Sequence, residues 1–301
     1  MLRSALLAVL LLSSAARAQQ APLLWSLADA DSRVTLLGSV HLLAATDYPL
    51  AAASEAAYRD ADVVAFEIDL ATADAEALAL FPRYALYGPD RTLRDALPDS
   101  LFLALDARLQ AVGQRAADLD PFRPWAVGFY LAQLDGTPDG LDPMLGVDRH
   151  FYDRAVSDGR PTVALEGIAD QFEALSGTPE ADQVAQLARV LGDATSLRAE
   201  MLETLALWRA GDADGIARLL KTETAAEPAA YKRLLLVRNR AWVAQIEALL
   251  ARTDEDVLVV VGAAHLVGPE SVVDLLRARG HTVHRLADGA PAEPSRAAPD
   301  E

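Results

Sequence analysis

The chain has 301 residues, no cysteine and a formal net charge of −17. That charge repels nucleic acid and anionic membrane, and the lack of cysteine excludes disulfides and a lipidated N-terminal cysteine. A chain of this length buries an adequate core without such staples.

The first 18 residues read as a secretory leader. Arg3 supplies the charged start, "ALLAVLLL" (residues 5–12) the apolar core, and "ARA" (residues 16–18) the small-residue cleavage site. Eight apolar residues are too few to span a bilayer, which takes about 20. Cleavage after Ala18 leaves 25 basic against 44 acidic residues, a formal −19. The reading predicts a periplasmic or extracellular product with no membrane span, folded as one domain over residues 19–286.

"LLWSLADADSRVTLL" predicts a hairpin turning at residues 29–32 and feeding the strand "RVTLLGSV" (residues 33–40). "YPLAAASEAAYRDA" is a helix leading to the strand "DVVAFEI" (residues 62–68), a short βαβ unit. From about residue 72 to 252 the chain is mostly helical, with one strand, "PTVALEG" (residues 161–167), returning to the sheet. Within that stretch "GVDRHFYDRAVSDG" reads as a helix, and so does the amphipathic "LLLVRNRAWVAQIEALL". Leu234, Leu235, Val237, Trp242, Ile246 and Leu249 of the latter look built for packing; Arg238 and Asn239 interrupt that side, and Arg240 is solvated. "DVLVVVGAA" (residues 256–264) is a fourth buried strand, "GPESVVDLLRARG" a helix with Gly280 past its end, and "HTVHRL" an edge strand. The Pro/Ala-rich tail, residues 287–301, predicts disorder. The near-continuous Val/Leu strands suit a parallel sheet covered on both faces. The predicted fold is therefore α/β, with a mostly parallel central sheet from the N- and C-terminal segments and a large helical insertion over its C-terminal strand edge.

Ligands of open parallel sheets bind outside the carboxyl ends of the strands. Here those ends carry His41, then Glu67 and Asp69, then Glu166, then His265. Both histidines stand in the pattern Gly-x-x-His, "GSVH" and "GAAH", where Gly38 and Gly262 let the backbone approach a ligand closely. Two neutral imidazoles, a carboxylate and an open position suit a divalent metal, zinc among the candidates, with a second carboxylate as general base. His150 falls on a helix, and His281 and His284, three apart on a strand, face opposite sides. Gln171 follows Glu166 by five residues and either reaches the same crevice or caps a helix turn. The chain has no P-loop, no Gly-x-Gly-x-x-Gly, no Gly-x-Ser-x-Gly and no His-Glu-x-x-His.

The ordered set "LLGSVH", "VVAFEID", "GVDRHFYDRA", "VALEGIADQFEAL", "LLLVRNRAWVAQIEALL" and "VVVGAAHLVGPESVVDLLRARGHTV" resembles the TraB/GumN family, related to the Tiki proteases. The resemblance implies the α/β fold of ChaN-like and erythromycin-esterase-like proteins. By the Tiki relatives it implies a peptidase using manganese or cobalt. It places paired motifs on Gly38/His41 and Gly262/His265, the strand acid on Glu67, and further motif residues on Glu166 and Gln171 and on Arg238 and Asn239. Ser39 and Gly167 stand where threonine is usual.

The resulting expectation is an exported metal-dependent hydrolase acting on a peptide or small-molecule substrate. His41, His265 and one of Glu67 or Glu166 hold the metal, the remaining glutamate moves the proton, and Arg238 steadies the oxyanion. With Glu67 taken as the ligand, Glu166 is the proton carrier. Gly38, Gly262, Gln171, Asn239 and Asp69 support them. The alternatives are a peptide- or small-ligand-binding protein using the same crevice, or haem or iron handling through His41 and His265.

Overall fold

The structure, a computed structural model, describes residues 22–192, 194–226 and 228–286. The predicted leader and the predicted disordered tail lie outside the described residues. Among the described residues no helix is long and apolar enough to cross a membrane.

Six strands form one sheet: β1 (Leu24–Ala28), β2 (Arg33–Ser39), β3 (Val63–Phe66), β4 (Thr162–Ala164), β5 (Asp256–Gly262) and β6 (His284–Arg285), in the order β4-β3-β5-β2-β1-β6. β4, β3, β5 and β2 run parallel, and β1 pairs antiparallel with β2 and β6. The hairpin turns where the sequence places it. Asp29 N–H donates to the Ser32 carbonyl at 3.1 Å, and the Asp29 carboxylate accepts from Ser32 N–H at 2.9 Å. β5, from the far end of the chain, lies between β2 and β3. β6 is only two residues long, so His281 falls outside it and its Nε2 meets Glu247 at 3.0 Å instead.

The helices are α1 (Ala52–Asp60), α2 (Ala73–Ala85), α3 (Leu93–Ala96), α4 (Asp99–Gln110), α5 (Pro124–Asp135), α6 (Val147–Asp158), α7 (Ile168–Ser176), α8 (Glu180–Gly192), α9 (Ala194–Ala210), α10 (Ala213–Ala226), α11 (Pro228–Tyr231), α12 (Arg238–Leu250) and α13 (Val272–Ala278). Strand residues alternate between faces, and each face has its own helical cover. Val34, Leu36, Ala65, Val259 and Val261 pack with Trp242 and Ile246 of α12 and Val272 and Leu276 of α13. Leu37, Val64, Phe66, Leu258 and Val260 pack with Tyr58 of α1 and Phe151 of α6. The insertion carries a further core, built from Leu105 and Leu109 of α4, Val127 and Leu131 of α5, and Leu187 of α8.

α12 does not begin as a plain α-helix. Residues Lys232–Val237 form a π-turn that runs into Arg238. The extra residue per turn resets the helical phase. Val237, expected in the packed stripe, is consequently 50% exposed, while Trp242, Ile246 and Leu249 are buried as the pattern demands.

Candidate functional site

β3 and β4 keep pairing past their last strand residues. Glu166 N–H donates to the Glu67 carbonyl at 2.9 Å, which sets the two glutamates side by side at the carboxyl edge of the sheet. Arg238, the first residue of α12, lies between their side chains. Its Nη2 donates to Glu166 Oε1 at 2.6 Å and to Glu67 Oε2 at 2.7 Å, and its Nε lies 3.0 Å from both Glu166 oxygens. Nη1 donates to the Leu234 carbonyl in the π-turn at 2.9 Å. The Trp242 indole N–H donates to Glu166 Oε2 at 3.0 Å, and the Gly262 N–H to Glu67 Oε1 at 2.7 Å. All four carboxylate oxygens therefore face N–H donors. The guanidinium side chain is 13% exposed and those of Glu166 and Glu67 are 6% and 15% exposed, so the charges compensate one another out of water.

His265 ends the short 3₁₀ turn Ala263–His265 after β5 and is buried. The Asn239 amide donates to the Glu270 carbonyl at 2.9 Å, which turns its oxygen toward His265. His265 Nδ1–H donates to that oxygen at 2.6 Å, leaving Nε2 bare to accept from Arg238 Nη1 at 3.3 Å. The ring also lies against Trp242, centroids 4.3 Å apart. Burial, opposed by the charge of Glu67 and assisted by that of Arg238, pushes His265 down to about 4, so it is neutral at pH 7. Burial by itself would raise the Glu67 carboxyl, but the charges of His265, Arg238 and His41 and the Gly262 N–H hold it below its ordinary range. Because His265 is itself neutral, Arg238 is the lasting partner.

His41 stands apart. Its side chain is 68% exposed and its Nδ1 bonds Asp148, in the first turn of α6, at 3.0 Å. The hydrogen bond and charge of Asp148, with a contribution from Glu67, raise His41 to about 9. The two Gly-x-x-His motifs are alike in sequence but out of step in the sheet. β2 and β5 pair Gly38 with Val261 and Ser39 with Gly262. The motifs are therefore offset by one residue, and one residue reverses the facing side. His41 accordingly turns toward α6, and His265 toward α12. Asp148→Asn is expected to lower the His41 titration midpoint, followed by NMR of the ring protons, from about 9 toward its ordinary 6.5. An unchanged midpoint removes Asp148 as the cause.

The supporting residues divide. Gly262 serves close approach: a Cβ there would stand 3.2 Å from Glu67 Oε1. Gly38 does the same against Leu23 and Ala263, and its carbonyl accepts from the Trp208 indole at 2.8 Å. Asn239 orients His265. Gln171 is half-buried on α7 and outside the cleft described below. Asp69 is exposed and belongs to the turn before α2, where its Oδ1 accepts from Ala71 N–H at 2.9 Å. Asp148, Gly146, Trp208 and the polar role of Trp242 are additions from the structure. Gly146 is needed because a Cβ there would lie 2.6 Å from the His41 carbonyl oxygen.

A cleft of about 420 Å³ between α7 and the start of α12 reaches Glu166 and Arg238, with Asp170, Glu173, Arg233 and Gln245 among its lining. The donor set expected for a metal does not fit one as it stands. Among the described residues no group of three or more His, Cys, Asp or Glu side chains is arranged to hold a metal ion. The carboxylate oxygens and His265 Nε2 face N–H groups, and His41 is turned to Asp148. The family model of the TraB/PrgY/gumN family matches residues 23–285. Comparison with curated proteins and with solved structures gives no match.

Proposed function

The chain belongs to the TraB/PrgY/gumN family, and from that premise we propose that it is an exported hydrolase cleaving peptide bonds at the carboxyl edge of its sheet. The observation that carries the reading is the pairing of Glu166 with Arg238 at the cleft. The leader pattern of the first 18 residues supports export. Peptide fits a crevice that has a fixed cation beside a carboxylate. The guanidinium, fixed by Glu67, Glu166, His265 and the Leu234 carbonyl, stabilises through its charge the negative charge that develops on the carbonyl oxygen. Glu166 takes the proton from the attacking water. Glu166 then passes that proton to the leaving amine. Glu67 and Asn239 hold Arg238 and His265 in place.

The test is a peptide-library digest with the purified protein, followed by Glu166→Gln. Glutamine keeps the shape and an acceptor oxygen but cannot carry the proton. The variant is expected to keep its circular dichroism and lose about 10²-fold in turnover, the low end for a general base. Equal turnover in both proteins removes Glu166 from catalysis. A second reading, a peptide-binding protein without turnover, draws on the saturation of both glutamates by N–H donors. Peptide retention without cleavage identifies it.

A further inference from the structure

The resemblance to metal-dependent relatives and the arrangement of this site disagree, and the disagreement has a physical cause in Arg238. Glu67 Oε2, Glu166 Oε1 and His265 Nε2 converge on the terminal nitrogens of one guanidinium, at 2.7, 2.6 and 3.3 Å. Two carboxylates on Nη2 and a bare imidazole nitrogen on Nη1 make this the environment of one extended cation. A divalent ion sharing these donors would lie against a group that is permanently charged. Like charges in a buried site repel strongly, so the two cations compete for one place. Arg238 is not free to swing away. Leu234 holds Nη1 at the π-turn, and the Trp242 ring lies under the guanidinium, 4.8 Å from its carbon.

We infer that Arg238 is the resident cation of this site: its guanidinium occupies the place a divalent ion would share among Glu67, Glu166 and His265, and wild-type protein holds no such ion there. The inference deepens the hydrolase reading, because it assigns the electrophile's role to a side chain. The metal measurement stands independently of whether any peptide is cleaved.

The experiment equilibrates the full purified chain with manganese, cobalt or zinc, removes the excess and measures bound metal by elemental analysis. Wild type is expected to hold well under one equivalent. Arg238→Ala vacates the place and is expected to bind a divalent ion at least about 10-fold more tightly than wild type, a gain that His265→Ala added to it abolishes. Should Arg238→Ala fail to fold alone, refolding in the presence of manganese is the same measurement. Rescue supports the inference, and the absence of rescue overturns it. One equivalent of metal on wild type, lost with His265→Ala, overturns it outright. So does a folded Arg238→Ala that binds no more than wild type. Turnover is read separately with and without chelator. Chelator-resistant cleavage agrees with both readings. Cleavage that requires metal overturns this inference and leaves the hydrolase reading standing. No cleavage of any peptide ends the hydrolase reading and leaves the stoichiometry to judge Arg238.

Discussion

Trp242→Ala is expected to lower the stability of the protein by about 3–5 kcal/mol, the range for deleting a large aromatic from a core. The side chain is completely buried among Val259, Val261 and Ile246, on the face of the sheet that α12 covers. Its indole also has a polar role. The N–H donates to Glu166 at 3.0 Å, and the ring lies against both His265 and the Arg238 guanidinium. Trp242→Phe separates the two contributions. Phenylalanine keeps most of the packing but leaves Glu166 Oε2 with Arg238 Nε alone, the loss of one hydrogen bond to a buried charge. That step is expected to cost about 1.5–3 kcal/mol. Urea unfolding measures both, with the slope in denaturant checked to be unchanged. If the phenylalanine variant is as stable as wild type, the indole N–H contributes nothing and Glu166 is held by Arg238.

The sheet was legible because buried parallel strands need apolar residues on both faces, and "VVAF" and "DVLVVVG" are such runs. The convergence of Glu67, Glu166, Arg238 and His265 was legible from the rule that strand ends share an edge, together with a helix whose polar residues sit on its packed side. What was not legible is relational. "GSVH" and "GAAH" read as equivalents, but pairing between two strands about 220 residues apart set them one step out of phase, and no pattern within either strand encodes that offset. For the same reason Asp148 was hidden. Its partner His41 lies 107 residues away, and an acid in a helix's first turn already has an ordinary explanation in the helix dipole. The π-turn escaped because apolar periodicity assumes 3.6 residues per turn. Val237 falls outside the packed stripe on that account, whereas Trp242 and Ile246, beyond the turn, keep to it.

The acid side of the stability profile is expected to carry the signature of His265. In the fold its pKa is pushed down to about 4 from an ordinary 6.5. Between those values the unfolded chain binds a proton that the folded protein refuses, so stability rises with pH across that window. Above about 6.5 the ring is neutral in both states and adds no dependence. As the pH falls from 6.5 to 4 the penalty grows toward about 3 kcal/mol, since each pH unit between the two values is worth about 1.36 kcal/mol. Glu67, whose carboxyl is held below its ordinary 4.5, adds stability that is lost only at lower pH, so its window follows that of His265. His150, also pushed down by burial although Glu55 opposes it, acts in the same direction. His41 acts oppositely and elsewhere. Its raised pKa favours the fold in full below 6.5, and that contribution disappears as the pH rises through about 9. Comparison with His265→Gln singles out this group, since His41 and His150 titrate in both proteins and the window of Glu67 lies at lower pH. Glutamine forfeits the bond to Asn239 and starts less stable, but it cannot titrate. Urea unfolding at pH 7, 6, 5 and 4 should show wild type losing its advantage over the variant steadily below pH 6.5. A constant difference between the two proteins across the series is the outcome that rejects a neutral, buried His265.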